Sequence, residues 1–347
     1  MLTMGNHSRV LVTGGAGFLG RHLISRLLRE GSEVICLDDF HSSSREELTE
    51  LSLHSGFSLL EQHVAQPIRL EGGLDRIYNL ACPASPVHYQ ADPVDTIQTC
   101  VLGAMRVLDL AQEKGARVLQ ASTSEIYGEP QVHPQIETYW GNVNPVGPRA
   151  CYDEGKRCAE VLCTEYARQT GITVKIARIF NTYGPGMAPD DGRVVSNFLM
   201  QALAGEPLTV YGDGMQTRSF CYVSDLIEGM VRLMESGPEI SAPVNLGNPE
   251  ELSMLMLARL VGEVTGREVR IVHKERPADD PTHRRPDIER ARRLLGWRPT
   301  VRPREGLRRT AAYFEHWLAR ASERAEADAA SAALTVIQEL NSRQHCR

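Results

Sequence analysis

Three things are missing from this sequence of 347 residues, and each absence removes a class of function. A basic excess is missing. The formal charge is -6, whereas a protein that grips a phosphate backbone needs a clustered positive surface, so no nucleic-acid partner is expected. Paired cysteines are missing as well. The eight cysteines are scattered, with no CxxC and no Cys/His spacing suited to zinc. Neither a metal site nor a disulfide framework is expected, and reduced thiols in a cytoplasmic protein fit best. Long apolar runs are the third absence: nothing approaches the roughly 20 residues of a spanning helix, and MLTMGNHSRV has no apolar stretch before the first strand-like run. The chain is expected to be soluble and untargeted, with no membrane partner, and it shows no internal repeat.

What is present is enough apolar material, 42% of residues, to bury a full core in two domains or one large α/β unit. Strand-like runs alternate with helix-length amphipathic stretches: Arg9 to Val12, a helix from about Phe18 to Arg29, then Glu33 to Leu37. The rhythm continues with a strand at Arg76 to Leu80, a helix from about Val94 to Glu113, and strands at Arg117 to Ala121 and Thr173 to Ile179. This spacing predicts βαβ units and a doubly wound parallel sheet of the Rossmann type, an α/β fold. After about Asn181, Gly and Pro cluster at 184–189, 212–214 and 277–286, which reads as a smaller, irregular substrate-binding region. The tail from about Ala319, rich in Ala, Glu and Arg, reads as a solvated helix or a frayed end.

Residues 9–20 read RVLVTGGAGFLG, a strand followed at once by Gly14, Gly17 and Gly20. The first glycine permits a tight turn, the second lets backbone approach a pyrophosphate, and the third allows close helix packing. The phosphates then sit on the helix N-terminus, so Gly14, Gly17, Phe18 and Leu19 are the expected cofactor contacts. Asp38 ends the next strand at the distance the motif requires. Its carboxylate would accept from the ribose hydroxyls and repel a 2'-phosphate, favouring NAD over NADP, and Asp39 adds to that repulsion. The competing account is three turn glycines and a surface Asp, which leaves the strand-turn-helix context unexplained.

Residues 152–156 read YDEGK, placing Tyr152 and Lys156 one helical turn apart. An ammonium there favours the tyrosinate and can hold a nicotinamide ribose. Alone the pair is common and equally a solvated helix face. Here the strand from Arg117 runs into Ser122, Thr123, Ser124 and Glu125, delivering hydroxyls to the carboxyl end of the sheet, where α/β sites form. A hydroxyl sharing a substrate alcohol with Tyr152 makes a hydride-transfer site.

With TGGAGFLG, ASTSEIYG and YDEGK in that order, the sequence resembles the extended short-chain dehydrogenase/reductase family. ACPASP at 81–86, VNPVGPRACYDEGKR at 143–157, ARIFNTYGPG at 177–186, DGRVVSNF at 191–198 and GEPLTVYGDGMQTRSFCYVSDL at 205–226 are similar to one branch, the UDP-glucuronate decarboxylases. VNLGNPEE at 244–251 and the DDP, RRPDI and LGW elements between 279 and 297 extend the likeness, which runs from about residue 8 to 318. It implies conversion of UDP-glucuronate to UDP-xylose and carbon dioxide, with NAD reduced and reoxidised in one turnover.

The resemblance also implies roles. Thr123, Ser124, Glu125, Tyr152, Lys156 and Arg218 form the expected catalytic set, Arg218 orienting Glu125 or a water near the sugar C5. Asn181, Arg193, Tyr211 and Arg284 would contact uridine and pyrophosphate, with Pro86 and Tyr89 as further substrate contacts. Residues 1–180, with 215–248 returning, would form the NAD-binding domain. Residues 181–214 and 249–320 would bind the nucleotide sugar, and 321–347 would be the tail. The family's habit implies a homodimer through two helices per subunit, for which the faces at Val94 to Leu110 and Ala159 to Tyr166 could serve.

Three departures from the branch stand out. His63 occupies a position that usually holds an adenine-contacting Asp, Asp39 replaces an Asn, and Cys100 replaces the Asn that opens an Asn-x-x-Gly-Thr motif. They predict a more loosely held NAD. Two rival activities share the fold, a nucleotide-sugar 4,6-dehydratase and a 4-epimerase. The first needs an acid where Ser124 stands, and the second lacks the Glu. A non-catalytic NAD-binding regulator would have no need of Thr123, Tyr152 and Lys156 together.

Overall fold

A computed structural model describes residues 8–344. Its centre is a sheet of seven parallel strands: β1 (Arg9–Thr13), β2 (Glu33–Asp38), β3 (Phe57–Glu61), β4 (Arg76–Asn79), β5 (Arg117–Thr123), β6 (Val174–Ile179) and a last strand, Val244–Leu246. Across the sheet they run from the last strand through β6, β5, β4, β1 and β2 to β3. The chain therefore builds outward from β1 on one side, crosses back to β4, and builds outward on the other. The gap between β1 and β4 is the topological switch point, where such sheets open a crevice at their carboxyl ends.

Alternation along each strand sorts side chains into two cores. In β1, Val10 and Val12 join one cluster while Leu11 joins the other; in β2, Val34 and Cys36 part from Ile35 and Leu37 in the same way. Both faces are covered, as parallel sheets require. The helix Phe18–Arg29 buries Leu23, Ile24, Leu27 and Leu28 on the first face. The helices Pro93–Lys114 and Ala150–Thr170 cover the second and pack on each other. The first of these two is capped by Asp92, whose carboxylate accepts from the Asp95 N–H at 3.0 Å, and it stops at Gly115, held at φ 67°.

Beyond Ile179 the chain is more regular than its glycine and proline content predicts. It holds helices at Val194–Ala204, Val223–Glu235 and Met254–Thr265, and short strands at Leu208–Tyr211, Thr217–Ser219, Glu251–Ser253 and Ile271–Lys274. Their glycines and prolines mark the ends of elements. A final helix, Pro303–Gln344, runs through the start of the tail without a break. Trp297 is buried and donates its indole N–H to the Asp225 carbonyl at 2.8 Å, while the Asp225 carboxylate accepts from the N–H groups of Thr300 and Val301. This clasp fixes the late segment to the helix Val223–Glu235. Among the described residues no helix is long and apolar enough to cross a membrane.

Candidate active site

A cleft of about 580 Å³ opens at the carboxyl ends of β1, β2, β4 and β5. Its dinucleotide end is made largely of backbone. Gly14 turns at φ 65°, and a Cβ there would stand 2.8 Å from the Ala81 backbone. At Gly20 a Cβ would come within 2.3 Å of the Gly14 carbonyl oxygen, so the helix can lie this close to the turn only without a side chain. The helix starts at Gly17 with no side-chain cap, and Phe18 and Leu19 line the cleft, so the unpaired N–H groups of its first turn face the cavity. At the end of β2, Asp38 accepts from Ala16 N and Phe40 N, each at 2.9 Å, and from the Ser43 hydroxyl at 3.1 Å. Burial raises its pKa and those bonds oppose the rise. A donor-lined turn, a helix N-terminus and an acidic acceptor in this order fit an adenine dinucleotide. Beside them His63 places Nε2 3.3 Å from Asp95 and 3.8 Å from Asp39.

Further in, Tyr152 lies buried from the first turns of its helix, stacked on Tyr89 with centroids 5.1 Å apart. Thr123 lines the same cleft, and its hydroxyl favours the phenolate. Lys156 donates to the Ala121 carbonyl at 3.0 Å and lies 5.7 Å from the Tyr152 ring centre. The simple expectation that this lysine brings the phenol down is corrected. Burial pushes Tyr152 well above its ordinary value, Cys82 adds to the rise, and the Thr123 hydroxyl only partly opposes it. In a desolvated site the cost of the phenolate outweighs one ammonium whose nearest bond is to a carbonyl.

Glu125 is the centre of a charged network. Burial by itself would raise its carboxyl, but Arg284, Arg149 and Arg218 hold it down at about 2. Arg149 donates to Oε2 at 2.5 Å and Arg284 at 3.2 Å. Two expectations change here. Arg284 does not line the cleft: it is 1% exposed, folded behind the turn after β5, where it donates to the carbonyls of Ser124 and Gly128. Both terminal nitrogens of its guanidinium are engaged there, on those carbonyls and on Glu125. Arg218 does line the cleft but hydrogen-bonds Asp280 at 2.8 Å, so it acts on Glu125 by charge at a distance and Arg149 and Arg284 do the orienting. Next to Tyr152, Asp153 is raised to about 7, first by burial and then by Glu125, with Arg149 and Arg284 opposing.

The remaining predicted residues share the cavity. Ser124, Pro86, Tyr89, Asn181, Arg193 and Tyr211 all line it, and Arg193 is held by Asp191 at 2.5 and 2.8 Å. Sequence reasoning missed Arg149, Asp153 and Asp280. Arg149 stands one helical turn before Tyr152 inside the stretch VNPVGPRACYDEGKR, a signal that helical spacing could have exposed.

A dinucleotide turn and a Tyr/Lys/Thr set sharing one cleft on a parallel sheet define an enzyme of the short-chain dehydrogenase/reductase type. The chain belongs to the NAD dependent epimerase/dehydratase family, whose profile it matches over residues 10–247. Among curated relatives it is 54% identical over 308 residues to UDP-glucuronic acid decarboxylase 1 of Arabidopsis thaliana, covering 89% of this chain and 70% of the relative. It is 51% identical over 309 residues to UDP-glucuronic acid decarboxylase 1 of Xenopus tropicalis, covering 89% and 72%. A solved structure of UDP-glucuronic acid 4-epimerase from Bacillus cereus, in complex with UDP-glucuronic acid and NAD, superposes with a TM-score of 0.79 at 27% identity, over 89% of this chain and 99% of that one.

Proposed function

We propose that this protein decarboxylates UDP-glucuronate to UDP-xylose through a 4-keto intermediate, with NAD as its cofactor. The observation that carries the reading is that Tyr152, Lys156 and Thr123 share one cleft with a Glu125 carboxylate that arginines keep ionised. The identity to UDP-glucuronic acid decarboxylases supports it. Oxidation at C4 makes a ketone β to the C5 carboxylate, which lets carbon dioxide leave. NAD, when bound, supplies the hydride acceptor at C4 and the positive charge that a buried phenol needs to ionise.

The chain's own groups do the rest. Tyr152 takes the C4 hydroxyl proton and Thr123 donates to the same oxygen, including when it carries the enolate charge. Lys156, fixed by the Ala121 carbonyl, stands beside the ring. Glu125, ionised far below neutral pH, is an acceptor for a sugar hydroxyl and holds the ring in place. Arg193, Asn181 and Tyr211 serve the UDP end, with Pro86 and Tyr89 against the sugar. Residues 1–180 and 215–248 hold the cofactor, and 181–214 and 249–320 the nucleotide sugar.

Apolar side chains at Val94, Ile97 and Val161 stand exposed on the paired helices of the second face, and we assign them to contact with a second copy of the chain. The seven cysteines among the described residues are free thiols, which fits a cytoplasmic setting. Incubation of the protein with NAD and UDP-glucuronate tests the reaction: UDP-xylose is the expected product. A C4-epimerised hexuronate without carbon dioxide release would replace this reading with the epimerase one.

A further inference from the structure

Cys82 follows the end of β4 and lines the cleft. Beneath it, Cys100 is buried on the helix Pro93–Lys114, and the two sulfurs are 3.2 Å apart. Gly155, between Tyr152 and Lys156, makes room for this pair: a Cβ there would lie 3.0 Å from the Cys100 Cβ and 3.1 Å from its sulfur. The thiols are thus wedged between the switch-point loop and the helix that carries Tyr152 and Lys156. A disulfide, with sulfurs about 2.05 Å apart, needs an approach of roughly 1.1 Å.

The two sulfurs are unequal. Burial raises Cys82, but the bond with Cys100 and the charge of Lys156 bring it below its ordinary value, while that same bond and burial raise Cys100 well above. A cleft-lining sulfur in contact with a buried one is the arrangement of a reactive thiol and its resolving thiol.

We propose that Cys82 and Cys100 form a reversible disulfide under peroxide, and that the link slows the enzyme by tying the cleft wall beside Tyr152 to the helix beneath. The Cys82 thiolate attacks one peroxide oxygen and the O–O bond breaks, giving a sulfenic acid and hydroxide. Cys100 then attacks that sulfur, losing its proton, and the S–O bond breaks to release water. Two thiols and one peroxide give one disulfide and two waters, each sulfur losing one electron to oxygen.

The test treats the full chain with dilute hydrogen peroxide, maps cross-linked peptides without reduction, and follows activity before and after dithiothreitol. The expected result is a Cys82–Cys100 peptide that grows in step with loss of activity, both reversed by the reductant. In Cys100→Ser no such peptide forms, and Cys82 proceeds to a sulfinic acid that dithiothreitol does not restore. Cys100→Ala replaces it if the serine variant melts early. Thiols consumed with no Cys82–Cys100 peptide, a Cys82–Cys151 link in its place, or a link without loss of activity would each overturn the proposal. The peptide map does not depend on which reaction the enzyme catalyses, so it stands apart from the test of decarboxylation.

Discussion

The two ends of the cleft are built by different means. At the dinucleotide end the functional groups are backbone donors and one carboxylate, supplied by a continuous stretch from β1 to β2. At the sugar end Glu125 is gripped by Arg149 and by Arg284, the latter 159 positions away in the chain. The first end depends on what the chain leaves out, side chains at Gly14 and Gly20. The second depends on long side chains brought together by the fold, with three guanidiniums offsetting the burial of one carboxylate. Steric damage should therefore break the first end, and unpaired charge the second.

The largest effect expected is at the centre of the cleft. Tyr152→Phe should lower the rate of UDP-xylose formation by about 10³-fold while leaving NAD binding, followed by fluorescence titration, close to that of the parent. A parent-like rate would mean that the phenol takes no proton. Next, Arg284→Ala removes one of the two hydrogen-bonded partners of a buried carboxylate and should cost about 3 kcal/mol in denaturant unfolding. Glu125→Gln should cost at least as much, because it removes the one anion and leaves three neighbouring guanidiniums to repel one another; a much smaller loss would show that packing, not charge, holds this end. Gly20→Ala should cost roughly 1–3 kcal/mol through overpacking and weaken NAD binding, read by the same two measurements.

The acid-base behaviour gives a smaller contrast. Glu125, depressed to about 2, adds stability that is complete above the ordinary carboxyl value of about 4.3 and is lost as the pH falls from there towards 2. Asp153, raised to about 7, works in the opposite sense. Between about pH 4 and 7 the unfolded chain has shed a proton that the folded one keeps, so stability drops as the pH rises. Asp153→Asn should remove that falling limb from a series of thermal melts and leave the acid limb of Glu125 in place. The smallest effect is at His63, where His63→Asp should tighten NAD by a few-fold. The parent should need added NAD, and stoichiometric cofactor in the purified protein would count against the loose retention expected of His63, Asp39 and Cys100.

Legibility in the sequence follows the same division. The helix at Phe18–Arg29 and the strands around it could be read because periodicity, turn glycines and the acidic residue all act over short range. That Tyr152, Lys156 and Thr123 meet in one cleft could be read because a helical turn and a strand end bring them there. Arg284 was expected at the UDP end, and nothing in RRPDI says that its guanidinium folds inward behind the turn after β5. The pairing of Arg218 with Asp280 and the raised phenol of Tyr152 depend on burial, which a linear motif does not carry. The region after Ile179 looked irregular because its short strands pair with partners far along the chain.

The excursion that starts after Ile179 ends at Val244, and these two points lie on neighbouring strands in one register, Ile179 beside Leu246. Both feet of the loop thus stand on the same slab of sheet, and the clasp of Trp297 on Asp225 ties down the segment that follows. Such anchoring ties both ends of the excursion to one place on the sheet, so the cleft wall it supplies is held at its base by strand pairing rather than by a single tether.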